Sequence, residues 1–211
     1  MNFTLSAYPP FQLRSVIYSH GWHQLAPFTS DEQVGSLEYI DELPSDRVVK
    51  YRIREVPSGV SVEVSGAARP QDQAEIERRV SWMLGLPQDF SAFYVLAEAE
   101  PKLAAAAGRA AGRILRSSTI FEDIVKTILT TNTLWAATIR MNKNLVEQFG
   151  APLDSDSARR AFPTPERLAM TNEVTLRVHT RLGYRAPYVL ELAQRVSSGD
   201  SDLEALKYGS L

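Results

Sequence analysis

The side chain best placed for polar chemistry is Asn132, which lies in a run of four short polar residues, Thr130 to Thr133. Apolar residues at helical spacing precede and follow this run, so the pattern predicts two buried helices joined by a polar elbow. A carboxamide both donates and accepts hydrogen bonds, and a rigid elbow can present it outward. The same position also suits a cap between two helices, and the residues alone leave both roles open.

A second candidate is the pair Tyr184 and Arg185, which follows Gly183 and precedes Ala186 and Pro187. Glycine permits a turn and proline suits the first turn of a helix, so the pair is predicted to project from a loop. An aromatic ring can stack on a planar ligand, and a guanidinium can contact an anion. Alternatively, the ring covers the next helix and the arginine caps a backbone carbonyl group.

The rest of the sequence contains no self-contained catalytic motif. It has no phosphate-binding loop, no Gly-x-Ser-x-Gly and no His-Glu-x-x-His. The absence of cysteine excludes disulfides, thiolate catalysis and cysteine-ligated zinc or iron–sulfur clusters. His20 and His23 lie beside Trp22 without an evident third ligand, so no metal and no other cofactor is predicted. Glu122 and Asp123 are adjacent in a predicted first helical turn, which favours capping over catalysis.

Charge is unevenly distributed along the 211 residues, whose formal net charge is −2. Residues 1–108 contain 9 Lys and Arg against 14 Asp and Glu, whereas residues 109–211 contain 14 against 11. The second half is therefore the better candidate for contact with a polyanion. Ordinary charged residues on a solvent-exposed surface explain so small an asymmetry equally well. Because no run of about 18 apolar residues occurs, no membrane span is predicted.

The spacing of apolar residues, which predicts the elements that position these side chains, changes along the chain. Segments rich in β-branched and aromatic residues within 35–65 predict an antiparallel meander, to which an N-terminal strand can add. Later segments have helical spacing, with a predicted loop at 151–165. Besides the two helices beside the elbow, with Ser118 as predicted N-cap and Gly150 as predicted C-terminal glycine, the predicted helices are Phe11–Ser19, Gln71–Leu84, Phe90–Ala99, Pro101–Ala111, Glu166–Met170, Glu173–Thr180 and Ala186–Val196. We predict two domains, a β domain with flanking helices at 1–87 and a helical domain at 88–211.

Four stretches of the chain together resemble the helix-hairpin-helix DNA glycosylases, the group of 3-methyladenine DNA glycosylase II and 8-oxoguanine DNA glycosylase. They are GRILRS from Gly112, TIFEDIVKTILTTNTLWAATIRMNKNLVEQFG from Thr119, FPTPERLA from Phe162 and RLGYRAPYVLELA from Arg181. Their order and spacing are more specific than any one of them. The resemblance implies an α+β fold, with a small N-terminal antiparallel β domain followed by an incomplete all-helical glycosylase domain.

The resemblance also implies a function in base-excision DNA repair. Such an enzyme flips a damaged purine, alkylated or oxidised, out of double-stranded DNA and hydrolyses its N-glycosidic bond. Asn132 is expected to fill the gap that the extruded base leaves, with Tyr184 and Arg185 against the DNA. Asn132, Tyr184 and Arg185 should therefore lie on one face. The other predicted DNA-binding residues are Arg113 and Arg116, with Lys126 and Arg140 as further candidate phosphate contacts. Solvated helical charges explain these four equally well.

No catalytic residue is expected within this chain. The family's hairpin, of Leu-Pro-Gly-Val-Gly type, and its catalytic aspartate should follow Leu206, and the sequence stops at Leu211. We therefore expect the 211 residues alone not to excise a base. A non-catalytic DNA-binding or interaction module derived from a glycosylase is one alternative, and an unrelated α+β interaction domain is another. We expect no membrane partner, and a location that is cytoplasmic and nucleoid-associated if the protein is bacterial or nuclear if it is eukaryotic.

Overall fold

The computed structural model describes residues 1–209, in which an antiparallel sheet is followed by helices. This confirms the predicted α+β class. The chain forms two compact units: unit 1 comprises residues 1–24, 28–39 and 49–116, and unit 2 comprises residues 25–27, 40–48 and the chain from Ser117 onward. The units therefore differ from the predicted domains, because residues 88–116 pack within unit 1. The division into domains 1–87 and 88–211 stays a prediction.

Five strands form one sheet in the order β1-β5-β4-β3-β2. They are β1 (Asn2–Ser6), β2 (Phe28–Asp31), β3 (Ser36–Glu42), β4 (Val48–Val56) and β5 (Gly59–Gly66). The pairs β1–β5, β4–β5 and β2–β3 are antiparallel. The order β3, β4, β5 confirms the predicted meander, and β1 is the added N-terminal strand. Strand β2 was not predicted; its Phe28 ring packs 4.6 Å from the ring of Tyr39 in β3.

One short helix lies between β1 and β2, and the other helices follow β5 in chain order. They are α1 (Leu13–Ile17), α2 (Gln73–Leu84), α3 (Ser91–Glu98), α4 (Ile120–Thr130), α5 (Trp135–Phe149), α6 (Pro165–Ala169), α7 (Glu173–His179) and α8 (Ala186–Ser197). Short 3-10 segments occur at Gly21–Gln24, Pro70–Asp72, Gly183–Arg185 and Glu204–Lys207. None of the helices in residues 1–209 has the length and apolar character that a membrane crossing requires.

Two predicted elements are wrong. The segment Pro101–Ala111 is not a helix but a series of turns, closed by bonds such as that from Leu103 N–H to the carbonyl oxygen of Glu100 at 2.8 Å. Ala110 has a φ of +47°, which a right-handed helix does not permit. The predicted loop at 151–165 contains a short hairpin of β6 (Pro152–Leu153) and β7 (Asp156–Arg160).

Gly150 ends α5 for a reason other than the predicted one. Its φ is −69°, so it does not adopt the left-handed conformation common for a glycine after a helix. A Cβ atom at this position would instead overlap the carbonyl oxygen of Ala161. Glycine is therefore required here because two segments of unit 2 approach closely.

The apolar core of unit 2 is built by helices α4 to α8. In α4, Phe121, Val125 and Leu129 are spaced by four residues, so they share one buried face. The other buried members of the cluster are Met141, Leu145, Val146, Phe162, Leu168, Leu176, Leu182, Ala186, Val189 and Ala193. This packing holds the C-terminal end of α4 and the N-terminal end of α8 in the same unit. One candidate loop lies at each of these two helix ends.

Candidate nucleic-acid interface

Helix α4 begins after Thr119, whose hydroxyl oxygen accepts a hydrogen bond from the backbone N–H of Glu122 at 3.2 Å. The predicted cap, Ser118, is wrong by one residue, because its hydroxyl group donates to Oδ1 of Asp41 at 3.0 Å. Glu122 and Asp123 lie in the first turn, where carboxylates favourably oppose the positive end of the helix dipole. The start of α4 is thus fixed by local capping.

Lys126 lies in the interior of unit 2 and not on its surface. Its side chain is fully buried, and Nζ forms an ion pair with Oε1 of Glu122 at 2.5 Å and donates to Oγ of Ser117 at 3.2 Å. The prediction that Lys126 contacts a phosphate is therefore wrong, because its charge is compensated in the core. Arg140 is exposed on α5, and its phosphate contact stays a prediction.

The elbow between α4 and α5 turns through a left-handed residue. Thr131 is extended, with φ −64° and ψ 129°, and Asn132 has a φ of +43°. Asparagine adopts this region more readily than most residues. The hydroxyl groups of Thr130 and Thr131 donate to carbonyl oxygens three residues earlier, at 2.7 and 2.8 Å. Asn132 is therefore a turn residue, and it is also exposed to solvent.

The loop between α7 and α8 lies directly against the elbow. The Tyr184 hydroxyl group donates to the carbonyl oxygen of Thr131 at 3.2 Å and lies 3.3 Å from the Thr131 hydroxyl oxygen. Gly183 has a φ of +60°, which supports the predicted turn. The Tyr184 side chain remains 47% exposed. The two loops predicted from separate motifs are therefore adjacent in space.

Arg185 is buried, with only 6% of its surface exposed. Its Nη2 donates to the carbonyl oxygens of Thr131 and Asn132, the latter at 3.3 Å, and its Nε donates to the Thr131 hydroxyl oxygen at 3.3 Å. Nη1 lies 3.9 Å from the sulfur of Met141, and the guanidinium carbon lies 4.5 Å from the Tyr184 ring centroid. This geometry opposes the predicted direct DNA contact and matches the alternative in which the arginine caps carbonyl groups.

Arg113 also has a structural geometry, in unit 1. It is 2% exposed and donates to the carbonyl oxygens of Tyr8, Pro10, Gly85 and Gln88 at 2.6 to 3.0 Å. Its guanidinium also lies within 5.6 Å of two phenylalanine ring centroids. Burial lowers the pKa of Arg113 from its usual value. This burial favours a structural role for Arg113, and the DNA contact predicted for it stays a prediction.

Arg116 lies in the same unit and is half-buried. Its guanidinium carbon lies 4.4 Å from the Trp82 ring centroid, and its Nη1 donates to the carbonyl oxygen of Trp82 at 3.3 Å. A cation held over an indole ring is stabilised there. The phosphate contact predicted for Arg116 stays a prediction.

The sequence pattern missed two residues of the elbow. The Thr131 carbonyl oxygen accepts hydrogen bonds from the Tyr184 hydroxyl group and from Arg185, and the Thr131 hydroxyl oxygen accepts one from Nε of Arg185. Leu134 has helical apolar spacing but is 80% exposed, because it precedes the first residue of α5 and lies off the buried face. The position of Leu134 between a polar run and a helix start was the only available signal. No pattern in the sequence links Thr131 to residues more than fifty positions away.

Comparison with solved structures defines the class of fold. The 3-methyladenine DNA glycosylase from Archaeoglobus fulgidus has a TM-score of 0.75 and 20% identity, covering 100% of this chain and 70% of that chain. MBOgg1 in complex with a low-affinity DNA ligand has a TM-score of 0.68 and 26% identity, covering 95% and 64%. The apo 8-oxoguanine glycosylase/lyase of Clostridium acetobutylicum has a TM-score of 0.67 and 21% identity, covering 93% and 64%. The fold is that of DNA glycosylases, and this chain spans 64 to 70% of their length.

The family match lies over the candidate site. Residues 125–207 match the HhH-GPD superfamily of base excision DNA repair proteins, a range that includes both the elbow and the Tyr184 loop. This match supports the resemblance to helix-hairpin-helix glycosylases that the motifs predicted. The comparison with curated proteins gives no match.

Proposed function

We propose that this chain recognises a damaged purine in double-stranded DNA as part of a base-excision DNA glycosylase. The observation that carries the proposal is the exposed Asn132, held on a braced elbow inside the region that matches the superfamily. A similar fold, the Clostridium acetobutylicum 8-oxoguanine glycosylase/lyase, was solved with double-stranded DNA containing cytosine opposite 8-oxoguanine. That structure supports duplex DNA as the partner of this chain.

The elbow supplies what a flipped base requires. Extruding a nucleotide empties its place in the stack and leaves the opposite base without a partner. The Asn132 carboxamide enters this gap and exchanges hydrogen bonds with the estranged base. The half-exposed Tyr184 ring stacks on a neighbouring base, a contact worth about 1–3 kcal/mol. Both side chains lie at helix ends, so they reach DNA without disturbing the core of unit 2.

Hydrolysis of the N-glycosidic bond completes the proposed reaction. It needs a carboxylate that stabilises the oxocarbenium-like sugar or activates water. No residue of this sequence matches the family's hairpin aspartate, so we assign recognition to these residues and bond cleavage to none of them. Asn132 favours oxidised purines by resemblance to the 8-oxoguanine enzymes, and alkylated purines remain the other substrate class.

Binding to a lesion duplex tests the proposal. Fluorescein-labelled duplexes of one sequence carry either no lesion or a tetrahydrofuran abasic analogue, which mimics DNA with the base already removed from the stack. Fluorescence anisotropy at one fixed salt concentration gives both dissociation constants, since salt alone changes such affinities greatly. We expect the chain to bind the abasic duplex more tightly, and equal affinity for both duplexes would contradict lesion recognition.

An excision assay separates the proposal from its alternative. The chain is incubated with duplexes carrying 3-methyladenine, hypoxanthine or 8-oxoguanine, followed by alkaline cleavage. Lesion preference without excision is the expected result for these 211 residues and is shared with a non-catalytic module derived from a glycosylase. Multiple-turnover excision would place the chemistry in a residue that the motifs do not identify. Excision by a longer form of the protein would exclude the non-catalytic module.

A further inference from the structure

The guanidinium group of Arg185 contacts the elbow at the residues that set its shape. One nitrogen atom, Nη2, donates to the carbonyl oxygens of both Thr131 and Asn132. Successive carbonyl groups of an extended chain point to opposite sides, so two consecutive oxygens converge on one donor only where the chain turns. The turn here is the left-handed Asn132, with φ +43°. The hydrogen bonds of Arg185 are therefore compatible with the turned elbow and not with an extended one.

The position of Arg185 also suits a cation electrostatically. The last carbonyl groups of a helix have no partner within the helix and carry the negative end of its dipole. Thr131 directly follows the last residue of α4, so a cation bound to its carbonyl oxygen lies close to this negative end. Tyr184 donates to the same oxygen and stacks on the guanidinium. The two side chains together close the C-terminal end of α4.

Each guanidinium nitrogen of Arg185 has a contact inside unit 2. Nε contacts the Thr131 hydroxyl oxygen, Nη2 contacts the two carbonyl oxygens, and Nη1 lies against the sulfur of Met141. The side chain is 6% exposed, whereas the neighbouring Asn132 is exposed. A phosphate or base could reach Arg185 only if these contacts were first broken.

We infer that Arg185 is a positioning residue, which holds Asn132 in its left-handed conformation before DNA binds. This inference rests on the proposed function, because it specifies how the elbow is prepared for the gap in the DNA stack. A preorganised elbow avoids the loss of affinity that arises when only part of the population has the binding-competent conformation. Arg185 thus contributes to lesion recognition without touching DNA.

The inference can be separated from direct contact by exchanging the cation. Arg185→Lys keeps the positive charge but replaces the planar guanidinium with a compact ammonium, which cannot reproduce the same set of donors. A phosphate contact would largely survive this exchange, whereas the bridge across two carbonyl groups would not. Arg185→Met removes the charge and keeps an unbranched apolar chain. Arg195→Met is the matched control, because Arg195 is an exposed arginine on α8 of the same unit.

The first measurement needs no DNA. Backbone amide NMR spectra and ¹⁵N relaxation of the free protein report the conformation and mobility of Thr133 and Leu134, which follow the left-handed residue. We expect Arg185→Met and Arg185→Lys to shift and mobilise these amides while the amides of α6 keep their positions. Unchanged elbow amides in both variants would overturn the inference, even if DNA binding fell. This NMR measurement tests the role of Arg185 whether or not the chain prefers lesion-containing DNA.

The second measurement uses the undamaged and abasic duplexes at several salt concentrations. If the competent elbow falls to about one tenth of the population in Arg185→Met, the dissociation constant for the abasic duplex rises about tenfold. The affinity for undamaged DNA and the salt dependence of binding should match those of Arg195→Met. A reduction of the salt slope by about 1 beyond that control would indicate a direct phosphate contact and overturn the inference.

A double variant gives the final discrimination. Asn132→Gly keeps a residue that adopts positive φ but removes the side chain to be positioned. Adding Arg185→Met to Asn132→Gly should therefore cost little further lesion affinity, because the two changes remove one shared contribution. If the double variant instead loses lesion affinity by the product of the two single-variant losses, Arg185 acts on DNA independently of Asn132. Equal binding of both duplexes by the unmodified chain would instead refute the proposed function, leaving the NMR result to decide the role of Arg185.

Discussion

Two buried arginines, one in each compact unit, show how the same side chain serves different purposes. Arg113 in unit 1 donates to four carbonyl groups that belong to the segments around residues 8–10 and 85–88. Arg185 in unit 2 donates to two consecutive carbonyl groups of a single elbow. The first arginine holds distant parts of the chain together, whereas the second fixes the shape of a surface loop. The location of the carbonyl groups, and not the arginine itself, decides the role.

The comparison has an energetic basis. A buried charge is tolerated only where hydrogen bonds replace its lost hydration, and both guanidinium groups meet this condition. Arg113 is itself 2% exposed and joins two segments of unit 1 through four carbonyl groups, so its removal takes the donor from both segments at once. The partners of Arg185 lie beside exposed residues, so water can reach them. Removal of Arg113 should therefore affect stability most, and removal of Arg185 should affect recognition most.

The largest stability effect is expected for Arg113→Met. The substitution leaves four carbonyl groups without their donor, and we expect a loss of about 3–5 kcal/mol in the free energy of unfolding of unit 1. Hydrogen exchange followed by mass spectrometry measures each unit separately. Arg109→Met, which removes an exposed arginine of the same unit, should change stability by less than about 0.5 kcal/mol. Similar losses in the two variants would remove the distinction drawn between a buried and an exposed arginine.

The sequence predicted elements better than it predicted the roles of these arginines. Alternating Val and Ile residues identified β4 and β5, and the four-residue spacing of Phe121, Val125 and Leu129 identified α4, since these patterns are local. The partners of Arg113 are up to 105 positions away along the chain. No local pattern distinguishes such an arginine from a solvated one. The motifs placed Arg113 and Arg185 in one class of DNA contact, and no motif indicated that both side chains are buried.

The same reasoning explains the errors at the elbow. The motifs predicted loops at Asn132 and Tyr184, because short polar residues and a glycine interrupt apolar helices there. They could not show that Thr131 joins the loops, because that contact depends on how α8 packs against α4. The predicted helix at Pro101–Ala111 failed because its alanines favour a helix while the tertiary structure requires a positive φ at Ala110.

An intermediate effect is expected for Arg185→Met. Its carbonyl partners become partly hydrated, so we expect a loss of about 1–3 kcal/mol, confined to unit 2. Urea unfolding of the whole chain, together with hydrogen exchange of the peptide that covers Thr131 and Asn132, measures this change. A loss as large as that of Arg113→Met, or one that spreads into unit 1, would contradict the difference between the two arginines.

A smaller effect is expected for Tyr184→Phe. The substitution removes the hydroxyl group that donates to Thr131 but keeps the ring that stacks on Arg185. Since the site is half-exposed, we expect a loss near the lower end of about 0.5–1.5 kcal/mol. Tyr188→Phe removes the hydroxyl group of an exposed tyrosine on α8 and should leave the urea midpoint unchanged. A loss in Tyr188→Phe equal to that in Tyr184→Phe would show that the Thr131 contact does not stabilise unit 2.

The most direct test of the central claim is the affinity ratio between abasic and undamaged duplexes for the unmodified chain and for Asn132→Gly. Glycine keeps the left-handed turn, so unfolding stability should change by less than about 0.5 kcal/mol. We predict that the unmodified chain prefers the abasic duplex and that Asn132→Gly loses most of this preference while its affinity for undamaged DNA is retained, because phosphate contacts dominate that affinity. An unchanged ratio, or an equal loss of affinity for both duplexes, would contradict the assignment of Asn132 to the gap in the DNA stack.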